Sequence, residues 1–564
     1  MPQPPTPESE IDRDLARLAA TRDHWNAGGG FTLQQRSELV QACLDGLAAN
    51  ASGWIEAACQ AKAVVPHGPA GAEEITAGPM ATIRFLRLLQ LTFVECQRAG
   101  ATWDEPLKTG PVGHTIATVF PTRAGLYDEL LFRGFRCHAW LQRQAPHPGP
   151  LSKRFSPERI AEQESAVCLV LGAGNVSSIA PTDVFTKLFL HGRAVVLKLN
   201  PVNDHLGPIF ERAFAPLVAE GALQIVYGGA DVGGYLIEHR DVDEVHITGS
   251  LAAHDAIVWG PSPEERAERK QKDEPRLDKP ITSELGNVTP WIVVPGRYSA
   301  KQLDFQAQNI VASIVNNASF NCVATKMIIT HRQWPQREEF FGRIEDLLRV
   351  VRPRAAYYPG ARERFERFAQ RTAPADSDAL PWTLLRDADP QRDPHLFREE
   401  SFVCVTAETA LDAPDAETFV DRVADFANDQ LWGTLGASIT VPHDFRQKAG
   451  GEARLWRCVD RLRYGTVAIN QWSGLAFAMM GSPWGGYPGA TLADPQSGIG
   501  WVHNVRMLPD VEKSVFEGPL MVFPKPLWFP THGRAAPLAR GVLALYESPS
   551  LFGLPRVLLP AMLG

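Results

Sequence analysis

Between residues 166 and 249 the chain returns four times to the same kind of segment, a short apolar run closed by a glycine or a polar break. The runs are AVCLVL (166–171), AVVLKL (194–199), LQIVYG (223–228) and EVHITG (244–249). Helical segments lie between them, one beginning near Asp183 and another spanning IFERAFAPLVAEG. Strand, helix and strand in this rhythm predict right-handed βαβ units on a parallel sheet, so the fold class is α/β. Further on, PWIVVPG, MIITHR and VCVTA read as strands of a second α/β domain.

A chain of 564 residues exceeds what one hydrophobic core holds together and divides into two or three domains. Its 45% apolar and 21% charged content is that of an ordinary globular enzyme. With a net charge of −8 and no basic run interleaved with aromatics, nucleic acid is excluded as a partner. Eight cysteines are scattered without a CxxC pair or a Cys/His cluster, which fits reduced thiols in a cytoplasmic protein and no metal. No signal peptide and no run of about 18 uncharged apolar residues stands out. Residues 1–19, opening on a Pro-rich acidic stretch, are expected to be disordered. Helical spacing runs from about Thr32 to Ala99. The charge-dense segment 261–280, with four prolines, is expected to be a solvated surface loop.

Several familiar site motifs fail. LGAGNVSS (171–178) follows a strand and precedes a helix, but Ser177 stands where a dinucleotide fingerprint wants Gly or Ala. No phosphate loop, no GxSxG and no HExxH occurs, which leaves serine and metal hydrolysis without support. What remains is an ordered series: ITSELGNVTP (281–290), NNASFNCVATK (316–326), FREESFVCV (397–405), YGTVAIN (464–470) and SPWGGYPG (482–489). With the GN of LGAGN, the lysine of VVLKLNP and the ITGS of 247–250, these motifs resemble the aldehyde dehydrogenase superfamily over roughly residues 30–510. The match departs from the usual pattern in places. Gly286-Asn287 follows the Glu-Leu where Gly-Gly is usual, Phe320-Asn321 precedes the cysteine where Gly-Gln is usual, and the loop before ELGN is longer.

The resemblance implies two Rossmann-type α/β domains with a small β oligomerisation element. The NAD(P)-binding domain would take 20–125 and 161–290, the β element 126–160 and 480–515, and the catalytic domain 291–470, with 516–564 as a C-terminal tail. A homo-dimer or homo-tetramer is expected through the β element.

An aldehyde becomes a good hydride donor only after a nucleophile has made it tetrahedral, and a cysteine thiolate suits that task. By resemblance that cysteine is Cys322. The Asn175 amide and the Cys322 backbone N–H would hold the oxyanion, where each donor contributes roughly 2.7–4 kcal/mol. Glu284 would be the general base that activates water against the thioester. Lys198 would meet the adenosine ribose, Gly228 and Gly229 would pass near the adenine end, and Ser250 would meet the pyrophosphate at a helix N-terminus. Glu400 would hold the nicotinamide ribose, with Phe402 beside the ring. Pro201 stands where a carboxylate often selects NAD, so NAD or NADP is implied, NAD being favoured. Asn470 and Gly485-Gly486 are expected to be architectural, and Trp472, Phe477 and Trp484 fit a hydrophobic path for the aldehyde and ordinary core packing equally well.

Two other readings compete. The same cysteine could pass its acyl group to coenzyme A, or run an acyl-CoA reductase, although members doing so often lack a glutamate at the position of Glu284. The chain could also be a non-catalytic scaffold of this fold, against which the joint presence of Cys322, Glu284, Asn175 and Glu400 argues. For the tail, packing on the same or a neighbouring subunit is favoured over peripheral membrane contact, because its prolines prevent a long amphipathic helix.

Overall fold

A computed structural model describes residues 3–99, 107–122, 126–143 and 164–564. Three antiparallel strands come first: β1 (Lys108–Thr109), β2 (Thr115–Phe120) and β3 (Arg136–Leu141). Five strands then form a wholly parallel sheet: β4 (Val167–Leu171), β5 (Ala194–Lys198), β6 (Leu223–Val226), β7 (Glu244–Gly249) and β8 (Ile281–Leu285). Their spatial order is β6-β5-β4-β7-β8. The chain therefore leaves β4 first to one side and later to the other, which opens a crevice at the carboxyl ends of the strands. Every residue of β5 is buried, as expected of a strand covered on both faces.

The remaining strands are β9 (Pro290–Val293), β10 (Met327–His331), β11 (Thr383–Leu385), β12 (Val405–Leu411), β13 (Gly436–Thr440), β14 (Thr466–Ile469) and β15 (Val511–Glu517). They join the first three in one ten-stranded sheet, ordered β1-β2-β3-β15-β14-β13-β9-β10-β12-β11. Because β8 runs directly into β9, the residues between the two sheets are held from both sides.

Three sequence expectations need correction. Residues 1–19 are not disordered throughout: Glu8–His24 is a helix that buries Ile11, Leu15 and Leu18 against Val167, Leu169 and Val196. Each such side chain contributes roughly 1.5–3 kcal/mol on burial, enough to outweigh the polar composition around it. The segment 261–280 is not simply a loop, because Pro263–Lys272 is a helix capped by the Ser262 hydroxyl, which accepts from Glu265 N. The β element also has other borders. β1 and β2 lie in the stretch assigned to the cofactor domain, 480–515 holds five of the seven residues of β15 and β15 runs on to Glu517, and 144–160 lies outside the described residues.

The C-terminal tail packs on its own chain. Helix Ala535–Glu547 buries Leu538, Val542 and Tyr546 in the core built by the helices Leu33–Ala61 and Ala81–Ala99, and helix Pro555–Met562 lies against it. No helix among the described residues is long and apolar enough to cross a membrane.

Candidate active site

Cys322 sits in the loop between the buried helix Ala300–Val315 and β10. The helix starts at a capping box, Ser299 and Gln302, and stops where Asn317, Ala318 and Ser319 take φ of 51°, 54° and 70°. Three left-handed residues that are not glycine cost on the order of 1–3 kcal/mol each, so the surroundings must hold the turn. They do so through hydrogen bonds. Asn317 N donates to Glu73 Oε2 at 2.8 Å, and its Nδ2 donates to Phe320 O at 2.8 Å and Asn175 O at 2.9 Å.

A buried lysine joins this turn to Asn175. Lys62 Nζ donates to Glu74 Oε1 (2.9 Å), Asn317 Oδ1 (2.9 Å) and Asn175 O (3.0 Å), with both charged side chains almost wholly buried. The Tyr357 hydroxyl donates to Asn317 Oδ1 at 2.9 Å and to Asn175 O at 3.2 Å. Sequence reasoning missed Lys62, Glu74, Asn317 and Tyr357. Only Asn317 lay inside a recognised motif, and nothing local marks a lysine at a helix end as buried.

The side chains implied by resemblance converge. A cleft of about 950 Å³ is lined by Asn175, Lys198, Gly229, Ser250, Glu284, Cys322, Glu400 and Phe402. Leu171, Lys198, Gly249 and Leu285, the last residues of β4, β5, β7 and β8, all face it, which places it on the crevice side of the parallel sheet. Gly228 is not part of the lining. Its φ of 140°, and the 2.4 Å that an added Cβ would leave to Val232, make it a turn residue ahead of helix Ala230–Glu238. Asn470 and Gly485 likewise serve packing: Asn470 Oδ1 accepts from Val441 N, and a Cβ on Gly485 would lie 2.4 Å from Gly500 O. Trp472, Phe477 and Trp484 line a second, narrower cavity that also reaches Cys322.

The electrostatics follow from burial. Glu284, 4% exposed, is pushed up to about 8, chiefly because its charge would lose water, with Asp183 and Glu400 adding to the shift. Burial, then the charges of Glu284 and Glu400, raise the Cys322 thiol well above its usual value. The thiol is densely surrounded yet keeps some accessible surface, because it faces the cleft. Glu400 is also raised to about 8 by burial, opposed by Lys326. Lys326 itself, donating to Ser319 Oγ and Val403 O at 2.8 Å each, is lowered to about 8 by burial. One carboxylate oxygen each of Glu284 and Glu400 is buried with no hydrogen-bond partner. Glu400 can approach the backbone only because residue 286 is glycine: a Cβ there would fall 1.9 Å from its Oε2.

These groups fit a dinucleotide. The cleft volume is at the upper end of ligand pockets. The N-terminal amides of helix Leu251–Trp259, whose first turn is capped by Ser250, suit a pyrophosphate. The unpaired Glu400 oxygen suits ribose hydroxyls. Near it, Phe402 lies 5.1 Å from the Tyr358 ring, offering an aromatic wall.

Fold and cleft together define a two-sheet α/β protein with a cofactor-sized crevice closed by a cysteine-bearing loop. Residues 161–354 match the aldehyde dehydrogenase family. N-succinylglutamate 5-semialdehyde dehydrogenase of Novosphingobium aromaticivorans is 26% identical over 364 residues, covering 60% of this chain and 67% of that enzyme. The 4-trimethylaminobutyraldehyde dehydrogenase of Rattus norvegicus is 32% identical over 131 residues, 22% of this chain, and the match spans only 23% of that relative's length. Among solved structures, the NAD-dependent aldehyde dehydrogenase of Sinorhizobium meliloti superposes with a TM-score of 0.60 at 16% identity, over 93% of this chain and 89% of that one. The NADP complex of glyceraldehyde-3-phosphate dehydrogenase GapN from Methanocaldococcus jannaschii gives 0.59 at 12% identity, over 92% and 96%. These matches support membership of the aldehyde dehydrogenase superfamily, the family match itself spanning residues 161–354.

Proposed function

We propose that this protein oxidises an aldehyde to a carboxylic acid with NAD or NADP, through a thioester on Cys322. The observation that carries this reading is the meeting of Cys322, Glu284 and Asn175 in the same cleft as Lys198, Ser250 and Glu400.

The Cys322 sulfur, as thiolate, adds to the carbonyl carbon, and the former carbonyl oxygen takes the negative charge. Asn175 Nδ2 spends one proton on Phe320 O at 3.2 Å, and an amide nitrogen carries two, so a second remains for that oxygen. The Cys322 backbone N–H is the other donor of the oxyanion hole. A nicotinamide dinucleotide held by Lys198, Ser250 and Glu400 would supply the hydride acceptor for this tetrahedral carbon and a positive charge that would lower the proton affinity of the Cys322 thiol. The product at the protein is an acyl thioester. Glu284 then takes a proton from water, the hydroxide oxygen bonds to the acyl carbon, the carbon–sulfur bond breaks, and the acid leaves. A carboxyl raised to about 8 is poised for that transfer near neutral pH. A buried carboxyl facing the thiol favours hydrolysis over transfer to coenzyme A.

The account is tested by following reduced nicotinamide with a panel of aldehydes, with and without coenzyme A. Turnover that needs no coenzyme A and disappears in Cys322→Ala supports it. Full turnover by Cys322→Ala rejects it.

A further inference from the structure

Cys322 also borders the second cavity, about 280 Å³, whose walls come from several distant parts of the chain. Met80 lies at the foot of helix Ala81–Ala99, Trp472 and Phe477 come from the loop after β14 and the short helix Gly474–Ala478 that follows it, and Leu538, Val542 and Leu558 come from the two C-terminal helices. Val176, Ile179 and Val323 continue the apolar lining up to the sulfur. Charges in the wall are mostly spoken for. Arg84 is paired with Asp128 at 2.8 Å, both buried, and Glu73 with Arg354 at 2.6 Å. Lys525 is half-buried and donates to Thr531 O, and Arg133 is exposed.

The surface near the C-terminal helices is also unusual. Eight of the twelve large apolar side chains left exposed among the described residues fall between Met521 and Leu563. Two of them, Phe523 at 81% and Leu558 at 44% exposure, belong to the channel wall itself. An apolar channel thus runs from an apolar rim to the nucleophile.

We propose that the C-terminal segment 519–563 makes this site select aldehydes borne on a long, unbranched, uncharged hydrocarbon chain. This rests on the reading of Cys322 given above and adds the substrate class. With a liquid volume of roughly 30 Å³ per water-sized group, the cavity holds about nine heavy atoms, and longer chains emerge over Phe523 and Leu558. Each buried methylene then raises kcat/KM roughly fourfold until the channel is full.

The test is kcat/KM for straight-chain alkanals from propanal to dodecanal on the full-length protein, beside a nonanal-length aldehyde ending in a carboxylate. A steep climb that levels near nonanal, with the carboxylated analogue far poorer, is expected. Activity that is flat or falling with length overturns the selection while leaving the aldehyde oxidation intact, and so does preference for the carboxylate. Absence of turnover with every aldehyde defeats the underlying activity as well. Val542→Trp should fill the channel and Leu558→Glu should charge its exposed rim, each lowering the nonanal-to-propanal ratio of kcat/KM at least tenfold. Leu558→Glu lies at the surface and does not threaten folding, and an unchanged ratio in that variant contradicts the proposal.

Discussion

Glu284 and Cys322 stand in direct reach of each other beside the cofactor cleft, and the contact acts oppositely on the two: the carboxylate tightens the thiol's hold on its proton, while the thiol's hydrogen bond loosens that of Glu284. Burial is the larger cause for both. The consequence is a pH dependence of known sign. In the proposed roles the working forms are thiolate and carboxylate, both deprotonated, so kcat/KM should rise with pH through about 8. Rates measured across pH 6–9 check this, and a rate that falls across that range is inconsistent with these roles.

Removing the base should separate the two halves of the reaction. Glu284→Gln keeps the shape of the side chain but cannot take a proton from water, and steady turnover should fall about 10²–10⁴-fold. A first-turnover burst of reduced nicotinamide should persist in stopped-flow traces.

Asn175→Ala deletes the proposed oxyanion donor and should lower kcat about 10²–10³-fold. Because its backbone carbonyl, not its side chain, receives Lys62, Asn317 and Tyr357, the fold should survive, as circular dichroism would show.

Gly286→Ala should act on the cofactor. The new Cβ would lie 1.9 Å from the place of Glu400 Oε2, so the carboxylate must move. Losing a charged hydrogen bond of about 1.5–3 kcal/mol predicts an NAD(P) KM raised roughly 10–100-fold. A titration of the dinucleotide by fluorescence reads it directly.

Lys62→Met leaves Glu74 buried without its partner, 2.9 Å away in the native protein. Breaking a buried pair from one side costs about 3–5 kcal/mol, and urea unfolding should show the loss.

Strands β4 to β7 were legible because strands buried on both faces run rich in Val, Ile and Leu, as in AVVLK, whereas β8, ITSEL, carries Thr, Ser and Glu and does not read as a strand. The site was legible where chemistry demands a residue type at a fixed place, as with Cys322, Glu284 and Glu400. Lys62 was not, because its importance lies in partners 113 and 255 residues away in sequence. The N-terminal helix was hidden by composition, although Ile11, Leu15 and Leu18 carry helical spacing. The tail could be read as apolar, but its position over the cysteine arises from packing between distant helices that no local pattern encodes.

The central claim is a covalent bond between the Cys322 sulfur and the substrate's carbonyl carbon. Glu284→Gln protein mixed with nonanal and NAD(P), quenched in acid, digested and weighed by mass spectrometry tests it most directly. The account predicts a nonanoyl mass on the peptide that contains Cys322. Reduced nicotinamide formed in stoichiometric amount with that peptide unmodified would contradict it.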